Sequence, residues 1–275
     1  MSGDQEPGPS GPGEASIYTT YRDAVRAEQP VALATVIEGG AVGSKLLVRP
    51  GQASMGSLGD TDLDRVVARD ALGELEAGRT GVRHYGPHGE AREDDVSVFI
   101  ESMAPPPQML IFGAVDFTAA LAKVAKVLGY RVVVCDARPV FATTSRFPMA
   151  DEVVVDWPHR LLEKVGPTLG PRDAVCVLTH DPKFDVPAVI AALDTRVGYL
   201  GAMGSRRTTD DRNRRLIEEG VDPARLDRVM APIGLDLGGR TPEETAVSIC
   251  AEIIASRTGR EAPNLRDSAG DIHRR

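Results

Sequence analysis

The chain has 275 residues, of which 42% are hydrophobic and 26% are charged, and its formal net charge at pH 7 is −8. This length can supply one or two domains with buried cores. The acidic balance argues against a general nucleic-acid-binding or anionic-membrane surface. No apolar run approaches membrane-spanning length and no signal-peptide pattern opens the chain, so we expect a cytoplasmic protein with no nucleic-acid or membrane partner.

The three cysteines lie far apart, in apolar patterns and without a C-x-x-C motif, at Cys135, Cys176 and Cys250. This usage predicts buried structural thiols in a reducing compartment. We find no Ser-His-Asp or metal-ligand spacing in the N-terminal half, and we assign no catalytic residue and no metal site.

The N-terminal part predicts a tail followed by a small α/β domain. Residues 1–15 are rich in proline and glycine and predict a disordered tail. Residues 16–104 then predict an N-terminal α/β domain. Its alternating and helical patterns predict helices over 18–28 and 60–77 and strands over 31–38, 44–49, 52–57, 80–85 and 96–103.

Three consecutive prolines, Pro105 to Pro107, divide the chain. Proline fits neither a helix interior nor a central strand, so we predict a semi-rigid linker and a domain boundary here. The second domain is predicted over residues 105–258, and residues 259–275 are polar and predict a flexible tail.

The second domain opens with the pattern of a β-α-β unit. An apolar run from Met109 to Phe112 leads into the turn Gly113-Ala114, then a helical pattern, and then the β-branched run Arg131 to Cys135. Asp136 follows this second strand, where dinucleotide-binding folds place a carboxylate that accepts hydrogen bonds from ribose hydroxyls. The neighbouring Arg138 would admit a ribose 2′-phosphate, so both NAD and NADP stay open as cofactors.

The turn departs from the dinucleotide fingerprint. The second glycine, which lets a pyrophosphate approach the backbone, is replaced by the β-branched Val115. Asp116 follows, and we expect it to cap the helix because aspartate is a preferred N-cap residue. A carboxylate at this place repels phosphate, which counts against ordinary NAD binding.

The fourth strand of the domain, Ala174 to Leu178, ends at His180-Asp181. In a doubly wound parallel sheet of order 3-2-1-4-5, ligands bind outside the carboxyl ends of strands 1 and 4. Gly113-Ala114 and His180-Asp181 are therefore predicted to face one crevice. His180 is a candidate acid, base or ligand contact, and the alternative is a histidine that only hydrogen-bonds a turn.

A second candidate site follows the fifth strand, which we predict over Val197 to Leu200. Gly204 permits close backbone approach, Ser205 is placed to cap the next helix, and Arg206 and Arg207 lie in its first turn. Cations there oppose the helix dipole, so a bound anion or phosphate would relieve the conflict. In the alternative, both arginines pair with Asp210 and Asp211 on an exposed helix face.

Five motifs of the second domain carry a family resemblance. They are Arg146-Phe-Pro148, Leu178-Thr-His-Asp-Pro-Lys-Phe-Asp185, Gly201-Ala-Met-Gly-Ser-Arg-Arg-Thr208, Pro232-Ile-Gly-Leu-Asp-Leu-Gly238 and Thr241-Pro-Glu-Glu244. With these motifs in the same order, the chain resembles the C-terminal Rossmann domain of the XdhC/CoxI family, and the segment from Val31 to Met103 resembles the family's first domain.

The resemblance implies a maturation factor for molybdenum hydroxylases such as xanthine and carbon monoxide dehydrogenase. It implies binding of molybdenum cofactor, help with its sulfuration or insertion, a hydroxylase client, a cysteine desulfurase partner and a homodimer. Where the family's first domain commonly has a cysteine in a glycine-rich turn, this chain has Gly56-Ser-Leu-Gly-Asp60. Two alternatives stay open: an NAD(P)-dependent oxidoreductase with His180 as proton donor, and a divergent nucleotide-binding scaffold.

Overall fold

A computed structural model describes residues 16–91 and 93–268. The predicted disordered tail and the last seven positions of the predicted C-terminal tail lie outside the described residues. The chain divides between Pro105 and Pro106 into two compact units. No helix in the described parts is long and apolar enough to cross a membrane.

The first unit is an antiparallel five-stranded sheet of order β3-β2-β1-β5-β4 with two helices. Alternate residues of β1 point to opposite faces, so the sheet buries one helix on each side. Ala32, Ala34 and Val36 pack with α2, whereas Val31 packs with α1. The elements are α1 Ile17–Arg26, β1 Val31–Glu38, β2 Lys45–Val48, β3 Met55–Ser57, α2 Thr61–Ala77, β4 Gly81–Tyr85 and β5 Val96–Met103.

The second unit is a parallel six-stranded sheet of order β11-β10-β9-β6-β7-β8. The predicted doubly wound fold and the strand order 3-2-1-4-5 are confirmed, and β11 extends the sheet by one strand. Its elements are β6 Gln108–Phe112, α3 Asp116–Val127, β7 Arg131–Cys135, β8 Glu152–Val154, α4 Pro158–Val165, β9 Ala174–Val177, α5 Pro182–Leu193, β10 Tyr199–Ala202, α6 Arg206–Glu218, β11 Val229–Met230 and α7 Pro242–Thr258.

Helices cover both faces of this sheet, which explains why its strands are apolar throughout. One face packs against α3 and α7, with Leu121 and Ile249 fully buried. The other face packs against α4, α5 and α6, through residues such as Leu162, Val189 and Leu216. The α7 N-terminus carries a capping box, in which Thr241 and Glu244 bond each other's backbone N–H groups.

Two local predictions were wrong or incomplete. The N-cap of α3 is Val115, without a side-chain cap, whereas the Asp116 side chain is 92% exposed and lies 3.8 Å from Arg146. Helix α5 begins at Pro182, because Asp181 caps it and proline is favoured at the first helical position. The fifth strand lies two residues later than predicted, at Tyr199–Ala202.

Candidate functional site

The predicted crevice lies where β6 and β9 end side by side at the reversal of the winding. Gly113 has φ of +111°, and a Cβ there would lie 2.7 Å from Cγ2 of Thr179. Only glycine fits both the backbone conformation and the space. The turns after the two strands are therefore in direct contact.

Asp136 directly follows β7 and is hydrogen-bonded to the turn after β6. It is 3% exposed and accepts hydrogen bonds from the Ala114 backbone N–H at 2.8 Å, and from the Arg138 backbone N–H, Nε and Nη2 at 2.8 to 2.9 Å. Burial alone would raise the pKa of Asp136, but the bonds from Arg138 and Ala114 outweigh it and hold the pKa below its usual value. Both carboxylate oxygens are thus fully engaged.

Aromatic rings surround the Arg138 guanidinium. It lies 4.6 Å from the Phe141 ring centroid and 6.0 Å from that of Phe184. Phe184 in turn packs against Trp157, with centroids 4.9 Å apart, and carries the Lys183 ammonium over its face. These contacts hold Arg138 over the carboxyl edge of the sheet.

His180 and Asp181 follow β9 with different roles. The Oδ1 atom of Asp181 caps α5 by accepting from the Lys183 backbone N–H at 3.1 Å, and its other oxygen lies 3.3 Å from the Lys183 ammonium. Asp181 is therefore a structural cap first. His180 is exposed, and its place after β9 is the only feature that marks it within the described residues.

The turn after β10 has the predicted helix-capping arrangement. Ser205 Oγ accepts from the Thr208 backbone N–H at 3.1 Å, whereas the backbone N–H groups of Arg206 and Arg207 have no partner among the residues that the structure describes. A Cβ at Gly204 would lie 3.0 Å from Thr208 side-chain atoms. A side chain at residue 204 would collide with Thr208 and with Nη2 of Arg212, which lies 3.2 Å from the same position.

Arg206 and Arg207 are exposed and form no ion pair within the described residues. The alternative in which they pair with Asp210 and Asp211 is not observed, since Asp211 bonds Arg214 at 2.6 Å. Two unneutralised cations therefore lie at a positive helix end. This arrangement suits an anion with several oxygens.

A buried polar cluster that the sequence did not reveal joins these turns. The Thr179 hydroxyl donates to Asp185 Oδ1, Asp185 Oδ2 lies 3.7 Å from Arg212 Nε, and Arg212 Nη2 donates to the Met203 carbonyl. Thr179, Asp185 and Arg212 are 3 to 6% exposed. Burial raises the pKa of Asp185 to about 7, although Arg212 opposes the shift.

This cluster was missed because Asp185 and Arg212 lie on different helices and meet only when α5 packs against α6. A signal was present in the capped start of α5 at Asp181, which places Asp185 one helical turn later on the same face. Arg212 stands among other charged residues of α6, and nothing in its local pattern marks it as buried.

A separate groove of about 1100 Å³ lies between α4, α5 and α6. Its floor includes Leu162, Val186 and Ile190, and charges of both signs line its rim. None of the predicted site residues lines it. In the described parts of the chain no group of three or more His, Cys, Asp or Glu side chains is arranged to hold a metal ion.

The strand order and the crevice at its reversal define a Rossmann-like α/β protein. The family model for the XdhC Rossmann domain matches residues 109–253, and the model described as the XdhC and CoxI family matches residues 24–86. The chain belongs to the XdhC/CoxI family, which confirms the resemblance carried by its motifs.

Three curated relatives are similar over part of their length. A protein of Bacillus subtilis (strain 168) named as a probable xanthine dehydrogenase subunit is 33% identical over 165 residues, covering 60% of this chain and 47% of the relative. YqeB of Escherichia coli (strain K12) is 26% identical over 255 residues, covering 87% of this chain and 46% of the relative. The "Molybdenum cofactor insertion chaperone PaoD" of the same organism is 34% identical over 88 residues, covering 32% and 28%. The chain spans less than half the length of each.

A crystal structure described as a xanthine dehydrogenase from Bacillus halodurans has the same fold. The two superpose with a TM-score of 0.60 and 24% identity, over 90% of this chain and 69% of that one. This likeness supports the α/β architecture.

Proposed function

We propose that this protein is an accessory factor that binds molybdenum cofactor and assists its sulfuration or insertion into a molybdenum hydroxylase of the xanthine or carbon monoxide dehydrogenase type. The observation that carries the proposal is the pair Arg206 and Arg207, unpaired within the described residues at the N-terminus of α6. Membership of the XdhC/CoxI family and the similarity to a molybdenum cofactor insertion chaperone support molybdenum cofactor as the ligand of this proposed site.

The residues present fit the phosphate of a pterin cofactor. Backbone N–H groups at the α6 N-terminus and two guanidinium groups supply directional donors to a tetrahedral oxyanion. When bound, the cofactor would supply the molybdenum centre of the client. This chain's residues would hold the phosphate and leave the rest of the cofactor available for transfer.

The cysteines restrict how sulfuration proceeds. Cys135, Cys176 and Cys250, which are all the cysteines of the chain, are 0 to 3% exposed and form no disulfide. A buried thiol whose pKa is raised by burial is a poor nucleophile and sulfur carrier. We therefore propose that sulfur reaches the cofactor from a partner such as a cysteine desulfurase, while this chain holds the cofactor.

The arrangement around Asp136 disfavours the NAD(P)-dependent oxidoreductase. A ribose diol bound in the usual way needs free carboxylate acceptors after the second strand, but Arg138 and Ala114 occupy both oxygens. A dinucleotide would have to displace Arg138 from its carboxylate and from the Phe141 ring.

Binding by anaerobic titration calorimetry tests the proposal. Purified full chain is titrated with molybdenum cofactor, and with NAD(H) and NADP(H) in parallel. We expect micromolar or tighter cofactor binding that the Arg206→Ala, Arg207→Ala double variant weakens at least about tenfold, because two charge-assisted contacts are lost.

The Arg214→Ala, Arg215→Ala double variant is the matched control, since it removes the same charge from the same helix about 12 Å further along. Equal weakening by both double variants would contradict a site at the N-terminus of α6. Nicotinamide binding alone would favour the oxidoreductase, and absence of all binding would favour a divergent scaffold.

The proposed partners have their own test. The cofactor-loaded chain should activate an apo-hydroxylase of the xanthine dehydrogenase type, and activation to the sulfurated form should need added cysteine desulfurase. We also propose a homodimer, for which light scattering should give twice the 29.3 kDa of one chain. Sulfuration without the desulfurase would contradict the role given to the partner.

A further inference from the structure

Arg212 is an unusual buried cation. It is 4% exposed, yet within the described residues its Nε and Nη1 atoms have no hydrogen-bond partner. Its one carboxylate neighbour, Asp185, lies at 3.7 Å from Nε, beyond hydrogen-bond distance. A buried guanidinium with unsatisfied donors is costly, so its position calls for an explanation other than packing.

The guanidinium lies directly behind the turn that begins α6. Its Nη2 donates to the Met203 carbonyl and is 3.2 Å from the position that a Cβ of Gly204 would take. The Met203 backbone N–H is bonded to the Val177 carbonyl at 2.8 Å, which fixes this turn to the end of β9. Only the main chain of a glycine therefore separates the charge of Arg212 from the outer side of the turn.

We propose that Arg212 is the buried third cation of a tetrahedral-oxyanion site formed by Gly204, Ser205, Arg206 and Arg207, and that Asp185 sets the strength of this site by partly neutralising Arg212. The inference rests on the proposed function for the identity of the physiological anion, a phosphate ester. The site itself follows from the contacts of the cluster.

The cluster explains how one buried charge acts on the exposed turn. In a low-dielectric interior a charge is weakly screened, so Arg212 attracts an anion on the far side of Gly204 more strongly than a solvated arginine would. Thr179 fixes Asp185 by a hydrogen bond, and Asp185 then opposes the field of Arg212. Asp185 and Arg212 are positioning residues, because neither touches the anion.

Sulfate is a suitable probe because its charge stays constant near neutral pH. Sulfate binding to the full chain is measured by calorimetry at about pH 8, above the pKa of about 7 that burial gives Asp185. We expect Asp185→Asn to bind sulfate about threefold or more tightly, since the amide keeps the Thr179 bond but removes the opposing charge. We expect Arg212→Met combined with Asp185→Asn to bind about tenfold more weakly than Asp185→Asn alone.

Arg215→Met is the matched control, since it removes an exposed cation from the same helix and should leave sulfate affinity unchanged. The double variant removes both buried charges together and so leaves no unpaired charge in the interior, which would destabilise the fold. Thermal unfolding checks that the double variant is folded. Unchanged affinity in Asp185→Asn would overturn the inference even if the double variant fails to fold.

The outcome is independent of the cofactor measurement. Sulfate binding that depends on Arg212, without any binding of molybdenum cofactor, would leave this site standing and reject the proposed function. If the chain binds molybdenum cofactor but its sulfate affinity is unchanged by the Asp185 and Arg212 substitutions, the proposed function stands and this inference is rejected.

Discussion

The guanidinium of Arg138 and the carboxylate of Asp136 are joined by two hydrogen bonds, Nε to Oδ1 at 2.9 Å and Nη2 to Oδ2 at 2.8 Å. This bidentate pair lies where a dinucleotide-binding fold offers its carboxylate to ribose. Here the carboxylate instead fixes Arg138 and, through the Ala114 N–H, the turn after β6. The same residue pattern thus joins Arg138 to the turn after β6.

Replacing Asp136 should therefore destabilise the fold. Asp136→Asn replaces one acceptor oxygen by an NH2 group, so that either the Ala114 N–H and Arg138 Nη2 or the backbone N–H and Nε of Arg138 lose their acceptor. We expect the free energy of unfolding to fall by about 2 kcal/mol, measured by urea denaturation. Glu152→Gln is the control, because Glu152 and Arg131 form an exposed pair at 3.8 Å whose loss should cost less than about 0.5 kcal/mol. Equal losses would contradict a special role for Asp136.

The effect of Asp136→Asn should also depend on pH. The folded-state pKa of Asp136 is lowered, so its ionised form contributes stability that is present above the unfolded-state pKa of about 4. That contribution is lost as the pH falls through the lower, folded-state pKa. The free energies of unfolding of the variant and of the wild type, measured by urea denaturation, should therefore converge in acid. A difference that stays constant down to about pH 2 would contradict a lowered pKa of Asp136.

The contact between the turns after β6 and β9 predicts a second result. Gly113→Ala places a Cβ 2.7 Å from Thr179 at φ of +111°, and we expect it to cost about 3 kcal/mol in urea denaturation. Gly129→Ala is the matched control, because Gly129 also has positive φ, +80°, but no atom lies within 4 Å of its Cβ position. It should cost about 1 kcal/mol. A larger loss of stability at Gly129 would show that backbone strain, and not the contact with Thr179, determines the cost of the Gly113 substitution.

The sequence predicted what depends on local pattern and missed what depends on packing. Apolar runs placed β6 and β7 to within a residue, and the sheet order followed from the β-α-β pattern. Asp116 was wrongly chosen as a cap because the choice used residue type alone, while the start of α3 places the preceding valine at the cap. Asp185 and Arg212 could not be paired, because their contact needs α5 and α6 to be in place.

Thiol reactivity gives a third prediction. Burial raises the pKa of Cys250 to about 11 and that of Cys135 to about 12, and raises the pKa of Cys176 as well. We expect native protein near pH 8 to show almost no thiol reacting with a chromogenic disulfide within minutes, and all three to react after denaturation. Rapid reaction of one native thiol would contradict the inference that sulfur does not pass through this chain.

The last prediction concerns the buried acid Asp185 and the pH dependence of stability. Its folded-state pKa of about 7 lies above the unfolded-state value, so between about pH 4 and pH 7 the folded state binds more protons than the unfolded state. Wild-type stability should therefore lose this contribution progressively as the pH rises across that window, and lose no more above it. Asp185→Asn removes the titration, so its stability relative to wild type should rise from about pH 4 to pH 7 and then stay level.

The charged groups acting on Asp185 are Arg212 on α6, which lowers its pKa, and Asp181 at the start of α5, which raises it. Asp181→Asn should accordingly move the window slightly to lower pH, as measured by urea denaturation at a series of pH values. A relative stability of Asp185→Asn that falls as the pH rises would show that Arg212 dominates over burial and that Asp185 is ionised throughout.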